Sequence, residues 1–237
     1  MLLRGLGLLL VLAAYWAPWV AHSSAGLAIA EIDFNEFPKF MPQVRSGELD
    51  MWREAFYLTL LAPAVALVVW AAGRGTSPSA VQPARPNFDG VRAAIVRSLR
   101  EFDLARWLVR LFALGLTVTP SIFNVFESGE FATQLRLFAA VAALIVLSPL
   151  IRRLPPGLTA LLLAGWFVAA AVLPAREFLS LMPALADIYF HAITTGWGFY
   201  AALGGFALLA ALELVQLDRR IIYNLLITLR KRIPLCS

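Results

Sequence analysis

The chain contains very few of the residues that build most metal and redox sites. Of its 237 residues, two are histidine and one is cysteine. A disulfide scaffold is excluded, because Cys236 has no partner in the chain. His22 and His191 fall near the ends of predicted membrane spans, where contact with interfacial water is their expected role and a metal at the outer face is the alternative.

The sequence also lacks the short motifs of the common enzyme classes. No H-E-x-x-H, C-x-x-C, G-x-S-x-G, Walker A or G-x-G-x-x-G pattern is present. Zinc proteolysis, thiol redox chemistry, elbow-type acyl transfer and nucleotide binding therefore lack the residues that their geometry requires. We expect no catalytic residue, no cofactor and no metal site.

Charge is scarce, since 15% of the residues are charged and 60% are hydrophobic. Ordinary globular domains carry about 25% charged residues, so most of this chain cannot face water. The mean hydropathy of +0.76 also excludes intrinsic disorder. The isoelectric point near 9.9 is high enough for a nucleic-acid-binding protein, but the positions of the positive charges favour a membrane surface, and we expect no nucleic-acid partner.

Six apolar runs are long enough to cross a bilayer, which takes about 17–25 residues. A charged, proline-containing break at residues 152–157 separates the fourth run from the fifth and predicts a hairpin. The sequence therefore predicts an all-α polytopic membrane protein whose residues 1–237 form a single transmembrane domain. The predicted spans cover residues 5–21, 55–72, 107–123, 135–151, 157–173 and 194–214.

Lysine and arginine indicate the orientation of these spans. With the N-terminus in the cytoplasm, fifteen of the twenty basic residues lie on the cytoplasmic side. The reverse topology would place those fifteen on the translocated side, against the positive-inside bias. The sequence thus predicts both termini in the cytoplasm and a location in the cell's inner or plasma membrane.

Residues 1–25 also resemble a cleavable secretory signal. Arg4 precedes an apolar stretch, and Ser23, Ser24 and Ala25 form a small-residue cleavage site. Cleavage would leave five spans. We favour a retained helix, because Trp16 and Trp19 are typical of a membrane interface.

The first outer loop, residues 22–54, holds six acidic and three basic side chains. Its phenylalanines at 34, 37 and 40 recur every three residues, which predicts a short helix or turn at the outer interface. The loop is either a solvated acidic segment with an apolar underside or a site for a cation, a substrate or a partner. Asp33 and Glu36 are the candidate side chains for such a site.

Two basic amphipathic segments are predicted on the cytoplasmic side. One is a helix that starts near Asp89 within residues 73–106, and the other is the C-terminal tail at 218–233. Each sets apolar residues at helical spacing among arginines, as in helices that bind the anionic inner leaflet. Docking of a cytoplasmic partner helix is the alternative.

Two charged residues fall inside predicted spans at a similar depth, near the inner interface. They are Arg110 in the third span and Glu213 in the sixth. Charges in membranes are costly, so each is a candidate functional residue. We interpret them as a structural ion pair, or as interfacial charges that reach water, with one gate of an ion path as the alternative.

The sixth span carries a face of small residues. Small residues three and four positions apart let helix backbones approach closely in lipid. We expect this face to pack inside the helix bundle, with self-association or docking on a larger complex as the alternative. The face consists of Gly198, Ala201, Ala202 and Gly205.

These features predict a multi-pass accessory or scaffold subunit that binds other membrane components, including a membrane-protein partner or a second copy. One alternative is a small oligomeric transporter or channel, which needs a polar path from Arg110 and Glu213 to the outer face. A second is an outer-interface enzyme acting on a lipid-linked substrate, which needs a pocket at Asp33 and Glu36.

The predicted topology is testable with reporter fusions. A reporter fused after Ser237 should be cytoplasmic and one inserted at Gly47 should be exported, because of the fifteen-to-five distribution of basic residues. An exported C-terminal reporter would reverse the orientation. N-terminal sequencing that begins at Gly26 would reduce six spans to five.

Overall fold

The computed structural model describes residues 2–21, 28–73, 104–118, 132–151, 153–189 and 193–232, with side chains as far as residue 217 in the last range. Helices make up 85% of the structure, so the predicted helical class is confirmed. The chain divides into two units. One comprises Met1–Pro63 and Leu154–Ser237, and the other comprises Ala64–Arg153.

Helix α1 runs from Leu2 to Trp16 and is shorter than the predicted first span. It ends because Pro18 follows, which has no N–H to continue the helix. The carbonyl of Ala14 accepts hydrogen bonds from Ala17 N and Trp19 Nε1, both at 3.2 Å. The last turn of α1 is therefore closed by the chain itself.

The residues after α1 form a small antiparallel sheet that sequence analysis did not predict. Its strands are β1 (Pro18–Ala21), β2 (Ala28–Ala30) and β3 (Thr194–Thr195), in the order β2-β1-β3. Val20 pairs with Ile29 on one side and with Thr195 on the other. The sheet thus joins the end of α1 to a segment more than 170 residues further along the chain.

Short helical turns connect β2 to the next long helix. The repeat of phenylalanines at 34, 37 and 40 has the three-residue period of a 3₁₀-helix, and two of the turns carry it. The turns are η1 (Glu31–Asn35), η2 (Phe37–Phe40), α2 (Pro42–Arg45) and η3 (Arg53–Tyr57), followed by α3 (Leu58–Gly73).

Further on in the first unit, helix α7 (Pro156–Tyr189) has 34 residues, a length of about 51 Å. It is longer than the predicted fifth span, 157–173, because it continues through Pro174 and Pro183. Each proline removes one helical hydrogen bond. The helix nevertheless persists, and Phe178 and Leu181 beyond Pro174 are fully buried.

Helix α8 (Trp197–Arg232) packs against both α1 and α7. Its backbone runs without a break from the predicted sixth span into the predicted tail, 218–233. The side chains of the tail lie outside the described residues, so its binding to the inner leaflet stays a prediction.

In the described part of the second unit, the later part of α3 is followed by three further helices. Helices α4 (Leu104–Val118) and α5 (Ala132–Val146) pack against each other, and α6 (Ser148–Ile151) follows α5. The surface helix predicted near Asp89 lies outside the described residues.

Three helices among the described residues are long and apolar enough to cross a membrane. They are Arg53–Ala72, Pro156–Tyr189 and Trp197–Leu217, which correspond to the second, fifth and sixth predicted spans. Leu2–Trp16 and Ala132–Val146 are apolar but shorter. The chain therefore has the helices of a membrane protein.

Helices α1 and α8 approach closely through glycines. A Cβ added at Gly205 would lie 2.7 Å from Val11 Cγ2 and 3.1 Å from Gly7 O, and one added at Gly198 would lie 2.8 Å from Ala17 Cβ. Within the same small-residue face, Ala202 is buried and Ala201 is half-buried. The face therefore contacts α1 and the residue that follows it, within a single copy of the chain.

Adjacent glycines of α8 provide a matched test of this contact. Gly205→Ala should destabilise the protein by about 1–3 kcal/mol, because the new methyl overpacks against Val11 and the α1 backbone. Gly204→Ala meets nothing within 4 Å and should be neutral or gain up to about 1 kcal/mol from helix propensity. Thermal unfolding in detergent measures both variants, and equal midpoints would contradict the close packing.

Candidate functional site in the cap

We use the name cap for one region of the first unit, which consists of the described residues of Pro18–Tyr57, Ala175–Tyr189 and Thr194–Thr195. At its centre is an aromatic cluster formed by four cap residues, Trp19, Phe34, Phe56 and Phe178, together with Phe199 of α8. The ring centroid of Trp19 lies 5.2 Å from that of Phe178 and 5.4 Å from that of Phe199, while Phe34 stacks on Phe56 at 5.2 Å. Edge-to-face and offset pairs at these distances are favourable. The cluster joins β1, η1, η3, α7 and α8.

The cap loop is also tied to α7 by a polar contact. The backbone N–H of Trp52 donates to Glu177 Oε2 at 3.1 Å. Trp52 itself is about half exposed, at 49%. A carboxylate on the helix thus holds the segment that leads into η3 and α3.

Next to the aromatic cluster lies a set of buried polar side chains. Tyr15 is fully buried at the end of α1, and Asn35 is 5% exposed at the end of η1. Asn35 Nδ2 donates to Tyr15 Oη at 3.4 Å. Asn35 Oδ1 is buried and has no hydrogen-bond partner among the described residues.

The most unusual of these side chains is Glu31, at the start of η1, which is fully buried. Its Oε1 accepts a hydrogen bond from the hydroxyl of Thr59, which is also fully buried. Its Oε2 has no partner among the described residues. Burial raises the pKa of the Glu31 carboxyl well above its ordinary value, because the charged form loses its hydration, and the Thr59 hydrogen bond opposes this effect.

The two carboxylates predicted as an outer-loop site make local contacts. Asp33 is exposed, and its Oδ2 accepts a hydrogen bond from Ala30 N at 2.9 Å. Glu36 pairs with Lys39 three residues later, whose ammonium lies 5.2 Å from the ring centroid of Phe40. These contacts order the turns η1 and η2.

At the opposite end of α1 from the cap, Glu213 forms an ion pair with Arg4. Arg4 Nη2 donates to Glu213 Oε1 at 2.5 Å, and the two side chains are 22% and 3% exposed. This contact joins α1 to α8 across 209 residues of sequence. A buried carboxylate of this kind needs its cation, because an unpaired charge in this environment is costly.

Arg110 in the second unit makes different contacts. Its Nη2 donates to Ser148 Oγ at 3.1 Å, and its guanidinium lies 5.3 Å from the ring centroid of Trp107. Each member of the predicted Arg110–Glu213 pair thus has a polar partner within its own unit. Their mutual interaction stays a prediction.

Sequence analysis missed Glu31 and Arg4 as site residues. Arg4 was counted as a charge that fixes orientation and as the basic residue of a possible signal peptide, and Glu31 as one of six acids in a loop. The hydrophobic neighbours of Glu31 in the segment A-I-A-E-I-D-F are a signal that the residue is near an apolar surface. The partners, Glu213 and Thr59, are far away in sequence and leave no local pattern.

Comparison with protein-family models, with curated protein sequences and with solved structures finds no match for this chain. The function must therefore be inferred from the chain's own residues.

The Arg4–Glu213 pair can be tested with a double-mutant cycle. Arg4→Leu and Glu213→Leu should each destabilise the detergent-solubilised protein, while the double variant should lose less than the sum of the two. Groups in direct contact usually couple by about 0.5–3 kcal/mol. The matched cycle with Arg110→Leu tests the pair that the sequence predicts. Additive effects in the Arg4 cycle would show that the two charges do not support each other.

Proposed function

We propose that the chain is a six-span membrane protein with both termini in the cytoplasm, and that it works as an accessory or scaffold subunit that binds other membrane components. In this topology the cap lies on the outer side of the inner or plasma membrane, and Arg4 and Glu213 lie near the cytoplasmic side. The observation that carries the proposal is the outward apolar face of α7.

Most of the apolar surface of α7 is not covered by the described residues of its own unit. In the most apolar stretch of 18 residues in this helix, only 33% is buried. Leu161, Val168 and Val172 lie on the outward side and are 51–55% exposed. This surface requires lipid or the helices of another protein to cover it.

The outward side of α8 favours a protein neighbour. Gly204, Ala207 and Ala211 lie there at helical spacing and are exposed, and nothing lies within 4 Å of a Cβ added at Gly204. An unpacked glycine inside a helix costs about 1 kcal/mol relative to alanine. Close packing of a second helix against small residues offsets that cost.

The cap supplies a second surface for a partner. Asp33, Glu48 and Asp50 are exposed on it, while the aromatic cluster keeps the turns beneath them in place. A rigid acidic surface is suited to a partner with basic residues at the same height above the membrane.

The other two functions predicted from the sequence receive less support. An enzyme at the outer interface needs reactive carboxylates, but Asp33 and Glu36 are engaged with Ala30 N and Lys39. A transporter or channel that uses Glu213 as a gate needs that carboxylate to be available, but it is paired with Arg4.

Site-specific photocrosslinking in native membranes tests the proposal. A photoreactive residue at Val168 or Ala207 should give a discrete adduct with a second protein, which should also copurify in a fixed ratio. The matched control is Phe167, which is fully buried beside Val168 and should give no adduct.

Other products would contradict the proposal. Lipid adducts alone at both exposed positions, with no copurifying protein, would show that α7 and α8 face lipid. Adducts only between copies of this chain would favour an oligomeric transporter or channel instead.

A further inference from the structure

Glu31 is a buried acid without a compensating cation. Its side chain is fully buried, and its one side-chain hydrogen bond among the described residues comes from the hydroxyl of Thr59. No lysine or arginine in the described part of the chain forms an ion pair with it. A carboxylate that exchanges bulk water for one neutral donor carries a large desolvation cost.

A second buried oxygen on the same turn also lacks a donor. Asn35 Oδ1 has no hydrogen-bond partner among the described residues, and neither has Glu31 Oε2. Protonation converts a carboxylate oxygen from an acceptor into a donor. Protonation of Glu31 thus removes both its charge and one unsatisfied acceptor, Oε2. It also adds an O–H donor to the turn that contains the second buried acceptor, Asn35 Oδ1.

We propose that Glu31 is a proton-binding site: with the proton bound, the neutral acid holds η1 against α1 and α3, and loss of the proton loosens the cap. The geometry supports this in three ways. The residue is fully buried, it has a hydrogen bond to the first turn of α3, and its turn, η1, packs against α1. The raised pKa of the carboxyl is consistent with it.

Among the described residues, no cation on the elements around η1 forms an ion pair with Glu31. The elements that pack on η1 most extensively are α1, β2, η2 and η3, and Thr59 of α3, a helix without titratable side chains, reaches Glu31 itself. Strand β2 carries no titratable side chain, and the lysine of η2 pairs with Glu36. The titratable groups on these elements, on η1 and between η1 and η2 are Arg4, Tyr15, Asp33, Glu36, Lys39, Arg53, Glu54 and Tyr57, and Arg4 pairs with Glu213.

The sign of the pH dependence follows from the direction of the pKa shift. The folded state keeps the proton to a higher pH than the unfolded chain, so its stability is complete below the ordinary pKa of 4.5. Above that value the stability falls until the folded-state pKa is passed. One proton changes the folding equilibrium constant by up to about tenfold per pH unit in this interval.

The test is the thermal unfolding midpoint of the full chain in detergent, measured from about pH 5 to about pH 9. The wild-type midpoint should fall as the pH rises. Glu31→Gln, which is neutral at every pH and keeps an oxygen for Thr59, should remove most of this fall. Glu48→Gln changes an exposed carboxylate and should behave as the wild type does.

Several outcomes would overturn the proposal. A Glu31→Gln curve as steep as that of the wild type would exclude Glu31 as the titrating group. Recovery of the wild-type midpoint at high pH by sodium chloride, but not by choline chloride, would show that a metal cation and not a proton occupies the site.

Infrared spectroscopy of the wild type keeps the test valid if Glu31→Gln fails to fold. The carbonyl band of a protonated carboxylic acid should persist well above pH 4.5, the ordinary value for glutamate, through the interval in which the midpoint falls, and it should disappear at the pH where that fall ends. No such band at neutral pH would contradict the proposal.

Discussion

The packing of four phenylalanines around Trp19 is the contact on which the first unit depends. Trp19 follows directly after the proline that ends α1, and its indole N–H returns to the Ala14 carbonyl. Its ring then meets Phe34, Phe56, Phe178 and Phe199, which come from four other elements. Large-to-small changes of such buried rings cost about 3–5 kcal/mol. The position of η1, and with it the burial of Glu31, follows from this cluster.

Two carboxylates show opposite solutions to the same physical problem, which is a charge away from water. Glu213 lies next to Arg4, so α1 and α8 are joined by an ion pair. Glu31 has a hydroxyl as its neighbour instead, and burial favours the neutral acid. The first solution supplies an arginine, which is always protonated. The second depends on the proton concentration.

The sequence was most informative where the physical signal is local. Apolar runs of bilayer length predicted the helices Arg53–Ala72, Pro156–Tyr189 and Trp197–Leu217, although α7 continues beyond the predicted fifth span, 157–173, through Pro174. The cap was not predictable in this way. Its strands are two to four residues long, and they form because Val20 and Thr195 meet in space. Arg4 and Glu213, 209 residues apart, likewise find each other only through the packing of α1 on α8.

The continuation of α7 into the cap has a consequence for the membrane in which the protein resides. The stretch from Pro156 to Pro174 has a rise of about 28 Å, and Ala175 already belongs to the cap. The hydrocarbon region of an average bilayer is about 30 Å thick. In a much thicker bilayer, hydrocarbon chains would reach the Trp52–Glu177 contact, so the lipids would have to thin locally or the helix would have to shift. In the proposed topology the cap therefore sets a hydrophobic thickness for the protein and favours bilayers that match it.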